Sequence, residues 1–166
     1  MIPSFYLRSS LLSLGRSMNL QIREAVPSEY PEIAKIASLA WSEKPDPQLI
    51  IDRLQQTNSK VWVAVADGLI VGLTTATING SEANSEETVV LPAWRHYGAA
   101  QRLLDAMKKT LKDLGVKTVY GESTSRHSKE LAYFVRQGFK PYKIVEGPPG
   151  FQKDELVYLT RLDLVE

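Results

Sequence analysis

The sequence predicts an α/β (α+β) fold, a mixed central sheet of about seven strands flanked by about four helices in the order βααβββαβαββ. Three observations carry this. Val61, Val63 and Val65 alternate up to Asp67-Gly68, and Leu69 to Ile78 returns, which is the pattern of an antiparallel hairpin. Leu103, Leu104, Met107, Leu111 and Leu114 recur at helical spacing and stop at Gly115. Two strand-like runs, near 140–146 and 155–164, close the chain, so the strict βαβ alternation of an all-parallel sheet is absent.

The remaining elements fall into place around these. Leu20, Ile22 and Glu24 form a short opening strand, and Pro27-Ser28 introduces a helix whose apolar face is Ile33, Ile36, Ala37 and Ala40. Asp46 reads as an N-cap with Pro47 at the first helical position, starting a helix through Ile50, Ile51 and Leu54 that should end near Asn58. Asn79 to Ser85 reads as a polar loop, Glu86 to Leu91 as a strand and Val116 to Glu122 as the next. Leu131, Phe134 and Val135 trace the inward face of a short helix ending at Gly138, which leaves Tyr133 pointing elsewhere.

The bulk composition narrows the classes. The chain of 166 residues is long enough for one self-sufficient core, assigned to residues 19–166, with 1–18 as an N-terminal extension. That extension holds Arg8, Arg16 and several serines but no acid, which suits an upstream start or an organelle presequence better than a secretory signal. No run is long and apolar enough for a membrane span, and a cytoplasmic, non-membrane protein is expected. With 20 basic against 19 acidic side chains there is no excess charge to hold a polyphosphate, so nucleic acid is not an expected partner. Zero cysteines and two histidines, neither followed by a second ligand at helical spacing, predict no metal.

The chemistry concentrates in VVLPAWRHYGAAQRLL, residues 89–104, where a strand runs through a proline turn directly into a helix. A helix start carries unpaired N–H groups and the positive end of the dipole, so main chain alone can hold a pyrophosphate there. Gly98 and Ala100 leave the approach open, Arg95 adds charge, and His96, Tyr97 and Ala99 complete the loop, the imidazole facing phosphate or solvent.

This stretch resembles the GNAT superfamily, whose pyrophosphate loop has the form (Arg or Gln)-x-x-Gly-x-(Gly or Ala), matched by Arg95, Gly98 and Ala100. The lead-in Val90, Pro92, Trp94 and Arg95 is similar to that of the family, LAYFVRQGF at 131–139 resembles its second signature, and the element order agrees from Leu20 to Leu164. The resemblance implies an N-acetyltransferase that binds acetyl-CoA between the Val90 and Val119 strands, with main-chain N–H near Val90 and Leu91 polarising the thioester. The acceptor would be an amine of a small molecule or peptide that attacks directly. Such an amine has a pKa of about 10.4 and needs a base. Glu86 and Glu87 are the candidates, in register with acids of many relatives, and Glu122 ends the neighbouring strand.

Two positions depart from the family pattern. His127 stands where relatives often place an asparagine contacting the CoA arm, and Phe134 replaces the tyrosine that protonates the departing thiolate in many of them. Phe134 is expected to pack against the pantetheine arm instead. Trp41, Glu43 and Phe151 fall in the regions that shape the family's acceptor site. A non-catalytic CoA-binding or protein-interaction module on the same fold is the rival reading, and a homodimer is among the assemblies left open.

Overall fold

The computed structural model describes residues 19–40, 45–125, 128–148, 153 and 155–164. Strand β1 (Leu20–Glu24) leads through a 3₁₀ turn at Pro27–Glu29 into α1 (Tyr30–Ala37). Helix α2 (Pro47–Leu54) begins as expected, with the Asp46 carboxylate accepting from the Gln48 N–H at 2.9 Å, and stops four residues before Asn58. Strands β2 (Ser59–Ala66), β3 (Leu69–Asn79) and β4 (Glu82–Val90) form an antiparallel meander. Helix α3 (Ala99–Asp113), β5 (Thr118–Thr124), α4 (Ser128–Arg136), β6 (Lys140–Glu146) and β7 (Leu156–Asp163) complete the chain. The seven strands make one mixed sheet in the order β1-β2-β3-β4-β5-β7-β6, and β4–β5 is its parallel pair.

Several expectations are corrected. The stretch 79–85 is not a loop: Gly80 and Ser81 alone turn the chain, Gly80 with φ +63, and β4 starts at Glu82. Its polar residues alternate with buried Ala83 and Ser85, so pairing with β3 overrides weak strand propensity. Strand β5 starts at Thr118, because the Val116 N–H is held by the Leu111 carbonyl at the end of α3. Ala40 is exposed in a 3₁₀ turn rather than on the buried face of α1. On α4, Phe134 packs on the core as expected, but Val135 is 49% exposed and Tyr133 is half-buried against the core in its place, a correction to the inward face read from the sequence.

The sheet is packed on both sides, which fixes where the site lies. Leu103, Leu104, Met107 and Leu111 of α3 pack on Trp62, Ala64, Val71 and Val119. Ile33, Ile36, Ile50 and Leu54 of α1 and α2 pack on Val61, Val63, Leu73 and Val89. Each such side chain contributes about 1.5–3 kcal/mol by leaving water, so both helix layers hold the sheet rigidly between them. Neighbours Val89 and Val90 point to opposite layers, as a strand requires.

Candidate active site

Strands β4 and β5 are paired only at Glu82↔Thr118, Ala83↔Val119 and Asn84↔Tyr120. Beyond Asn84 they part, and the split is the floor of a cleft of about 1650 Å³ that reaches from the α3–α4 side of the sheet to the α2 side. The α3–α4 end is lined by Arg95, Gly98, Ala100 and Phe134, the other by Glu82, Glu86, Glu122 and Tyr142.

The first end is made by backbone. Gly98 occupies the N-cap of α3 with φ +82, and no side chain caps the helix. A Cβ at Gly98 would meet nothing within 4 Å, so space is open above the uncapped N–H groups. His96 also has positive φ, +68, which curls the loop ahead of the helix. Arg95 Nε donates to the Val90 carbonyl at 3.0 Å, which fixes the guanidinium at the mouth of the split. Trp94, half-buried in the core, anchors this loop, and Tyr97 is 60% exposed. Side-chain amides of Gln101 and Gln137 bond across α3 and α4 at 2.9 Å, and so keep the two helices in step at this end.

The strand edge offers one of the two amides expected of it. The Leu91 N–H donates to the Val71 carbonyl at 2.8 Å and is therefore consumed inside the sheet, a correction to the expectation for Leu91. That bond makes Val90↔Gly72 a pair whose N–H and C=O point away from each other, so the Val90 N–H faces the split.

Between Thr74↔Thr88 and Ala76↔Ser85 the register slips, so Thr75 faces both Glu86 and Glu87 in a β-bulge. The two acids are placed very differently. Glu87 is buried: Arg53 of α2 donates to its Oε2 at 2.5 Å, the Thr75 hydroxyl donates to the same oxygen at 2.6 Å, and the Glu87 N–H returns to that hydroxyl at 3.2 Å. Glu86 opens to the cleft. Loss of water around its carboxyl pushes its pKa above the ordinary range; Arg53 and a Thr77 hydrogen bond oppose this, while Glu87 and Glu122 add to it.

Phe134 lies over Gly121 of β5, where a Cβ would come within 3.0 Å of the ring, and meets Phe139 edge-on with centroids 5.0 Å apart. The neighbouring Tyr133 Oη is buried and, among the described residues, is the buried side-chain polar atom without a partner. Its pKa is pushed up to about 12 by burial first and then by Asp105, so the phenol stays protonated. His127, Trp41, Glu43 and Phe151 lie outside the described residues. Sequence reading missed Arg53 and Thr75, which stand 34 and 12 positions from Glu87 with no local signal to join them.

Comparison with known proteins decides the family. Residues 57–141 match the model of the acetyltransferase (GNAT) domain, just over half of the chain. The chain belongs to the GNAT acetyltransferases. An N-alpha-acetyltransferase of Sulfurisphaera tokodaii is 25% identical over 138 residues, covering 75% of this chain and 83% of the relative. The ribosomal-protein-S18-alanine N-acetyltransferase from Escherichia coli superposes with TM-score 0.78 at 17% identity, covering 89% of this chain and 95% of that one. The Salmonella typhimurium protein yncA, solved with its cofactor acetyl-CoA, gives 0.73 at 17% identity, with 89% and 95% coverage. The GNAT fold expected from the sequence is thus the one observed, and the chain is an acetyltransferase of that family. Among the described residues, no helix is long and apolar enough to cross a membrane.

Proposed function

We propose that this GNAT protein transfers the acetyl group of acetyl-CoA to an amine that enters from the α2 side of the sheet. The observation that carries the reading is the parting of β4 and β5 beyond Asn84, which joins an uncapped helix start and a carboxylate-lined rim in one cleft. The residues fit the co-substrate: Arg95 and the N–H groups following Gly98 suit a pyrophosphate, and Phe134 offers an apolar wall to the pantetheine arm. Acetyl-CoA, when bound, supplies the activated acyl group.

The chain's own groups do the rest. The Val90 N–H, already aimed into the split, is positioned to stabilise charge on the acyl oxygen without reorganising. Glu86 takes the proton from the acceptor ammonium, directly or through water, and its raised pKa brings it closer to the amine's own value, as a base requires. Glu87, tied to Arg53 and Thr75, keeps the bulge in shape. A departing thiolate with a pKa of about 8.5 leaves without a dedicated acid, which accommodates phenylalanine at 134.

Thiol release from acetyl-CoA, measured across small amines, amino acids, polyamines and peptides, tests the reading. Amine-dependent release that disappears in Glu86→Gln is expected. An acetyl-CoA-stabilised protein that releases no thiol with any amine would leave only the binding half standing.

A further inference from the structure

At 2% exposure a carboxylate persists only with partners, and those of Glu87 come from two other elements. Thr75 of β3 both donates to the carboxylate and accepts the Glu87 N–H, so one hydroxyl closes the bulge. Arg53 reaches it from α2, on the same side of the sheet as the end of the cleft assigned to the acceptor, with a quarter of its side chain still exposed. The same guanidinium acts on Glu86. The groups that face Glu86 are Arg53 from α2, Glu87 on its own strand, Glu122 from β5 and the Thr77 hydroxyl from β3. Two like charges and one cation therefore surround it, and the cation is the one bound to Glu87.

We propose that Arg53 is a positioning residue for acetyl transfer, whose charge both neutralises Glu87 inside the bulge and acts directly against the acids around Glu86, keeping Glu86 ionised at the split between β4 and β5. The role rests on the reading of Glu86 as base. Without Arg53, Glu86 is left between Glu87 and Glu122 with no cation of the described residues to offset them. Its proton is then held more tightly, and the fraction able to accept a proton from the amine falls at a given pH. Arg53→Lys keeps the charge and loses the planar guanidinium that reaches the Glu87 Oε2, so it restores the ionisation more fully than the geometry.

The test combines two readouts, titration of the Glu86 carboxyl by ¹³C NMR and the pH profile of kcat. In Arg53→Met both midpoints should rise by about one unit, and in Arg53→Lys both should return most of the way. Glu87→Gln and Arg53→Met/Glu87→Gln provide a pair in which no buried carboxylate is stranded, so the comparison survives if Arg53→Met alone does not fold. Within that pair, loss of Arg53 should again raise both midpoints. A fall in kcat with both midpoints unmoved would mean that Arg53 only shapes the bulge, and would overturn the proposal. Movement of the NMR midpoint with a fixed rate profile would instead overturn Glu86 as the base, and this role with it.

Discussion

The α3 end of the cleft is built from main chain contributed by one continuous segment, whereas the β4 bulge is built from side chains drawn from α2, β3 and β4. In the first, Arg95 to Ala100 need only curl into a helix start, and a glycine with φ +82 provides the curl. In the second, Glu87 is held by residues 12 and 34 positions away. A backbone site depends on conformation and tolerates change in most side chains; a side-chain site depends on the whole tertiary fold and fails when one distant partner is lost. The two neighbouring acids show the same contrast within one strand, since Glu86 lines the cleft while Glu87 is buried and held by Arg53 and Thr75.

The largest expected effect separates those two acids. As a general base Glu86 is worth about 10²–10⁴ in rate, roughly 2.7–5.4 kcal/mol, so Glu86→Gln should lower kcat by at least a hundredfold while leaving the acetyl-CoA affinity intact. The pH dependence follows from the direction of the shift: with its pKa raised by lost hydration, Glu86 ionises above the ordinary carboxylate range, and the rate should climb through that higher value. The sign for stability is opposite. The unfolded chain releases this proton first, so the group costs stability as pH rises between the unfolded and folded values, and Glu86→Gln should melt slightly higher at neutral pH. Equal rates for wild type and Glu86→Gln at neutral pH would move the base elsewhere, with Glu122 next in line.

Arg53 is the next largest. Stranding the Glu87 carboxylate by Arg53→Met should cost about 3 kcal/mol, a fall in Tm on the order of 6–12 °C for a domain of this size. Chemical denaturation checks it, and a loss below about 1 kcal/mol would show that water replaces the guanidinium, making the bulge less dependent on side chains than the contrast holds.

At the other end, acetyl-CoA at a hundred times its Kd should stabilise the folded protein by about 2.7 kcal/mol. Gly98→Glu should abolish this shift, because the open space above Gly98 would then hold a carboxylate, and a residue with a side chain is strained at φ +82. Arg95→Ala should keep most of it, since the N–H groups remain. A full shift in Gly98→Glu would mean that the phosphates lie elsewhere.

This contrast also explains what could be read in advance. The helix start after Gly98, the two antiparallel strand pairs and the four helices rest on patterns local in the sequence, and each of these elements is present near its expected bounds. The bulge is a register slip between β3 and β4, and nothing in Glu86-Glu87 announces that one points to the cleft and the other to α2. The loop expected at 79–85 failed for the same reason: Glu82, Asn84 and Ser85 are poor strand formers that the β3 edge recruits. The Leu91 amide likewise could be excluded only once Val71 was known to lie across from it.

The smallest expected effect lies on α4, where Tyr133 rather than Val135 joins Phe134 on the packed face. Tyr133 does not turn to solvent: it packs beside Phe134, ring centroids 6.2 Å apart, and its hydroxyl is buried without a partner. A buried donor left unpaired costs stability, on the order of 1 kcal/mol or more by mutational series, and removing the oxygen relieves that cost without opening a cavity larger than one atom. The pKa near 12 keeps the phenol neutral across the physiological range, so no ionised form is lost with it. Proton donation to a departing thiolate would require the hydroxyl to face the split. Tyr133 is among the residues lining the cleft, but its hydroxyl is buried, the carboxylate that raises its pKa is Asp105 on α3, and the ring that lies over Gly121 of β5 is that of Phe134. Tyr133→Phe should therefore leave kcat within tenfold of wild type and raise stability by up to about 1 kcal/mol. A hundredfold fall in kcat, about 2.7 kcal/mol of transition-state stabilisation, with acetyl-CoA affinity unchanged, would identify Tyr133 as the proton donor. The family's tyrosine would then act from one position earlier on the same helix, and the cleft would have a side-chain-built component at its backbone-built end.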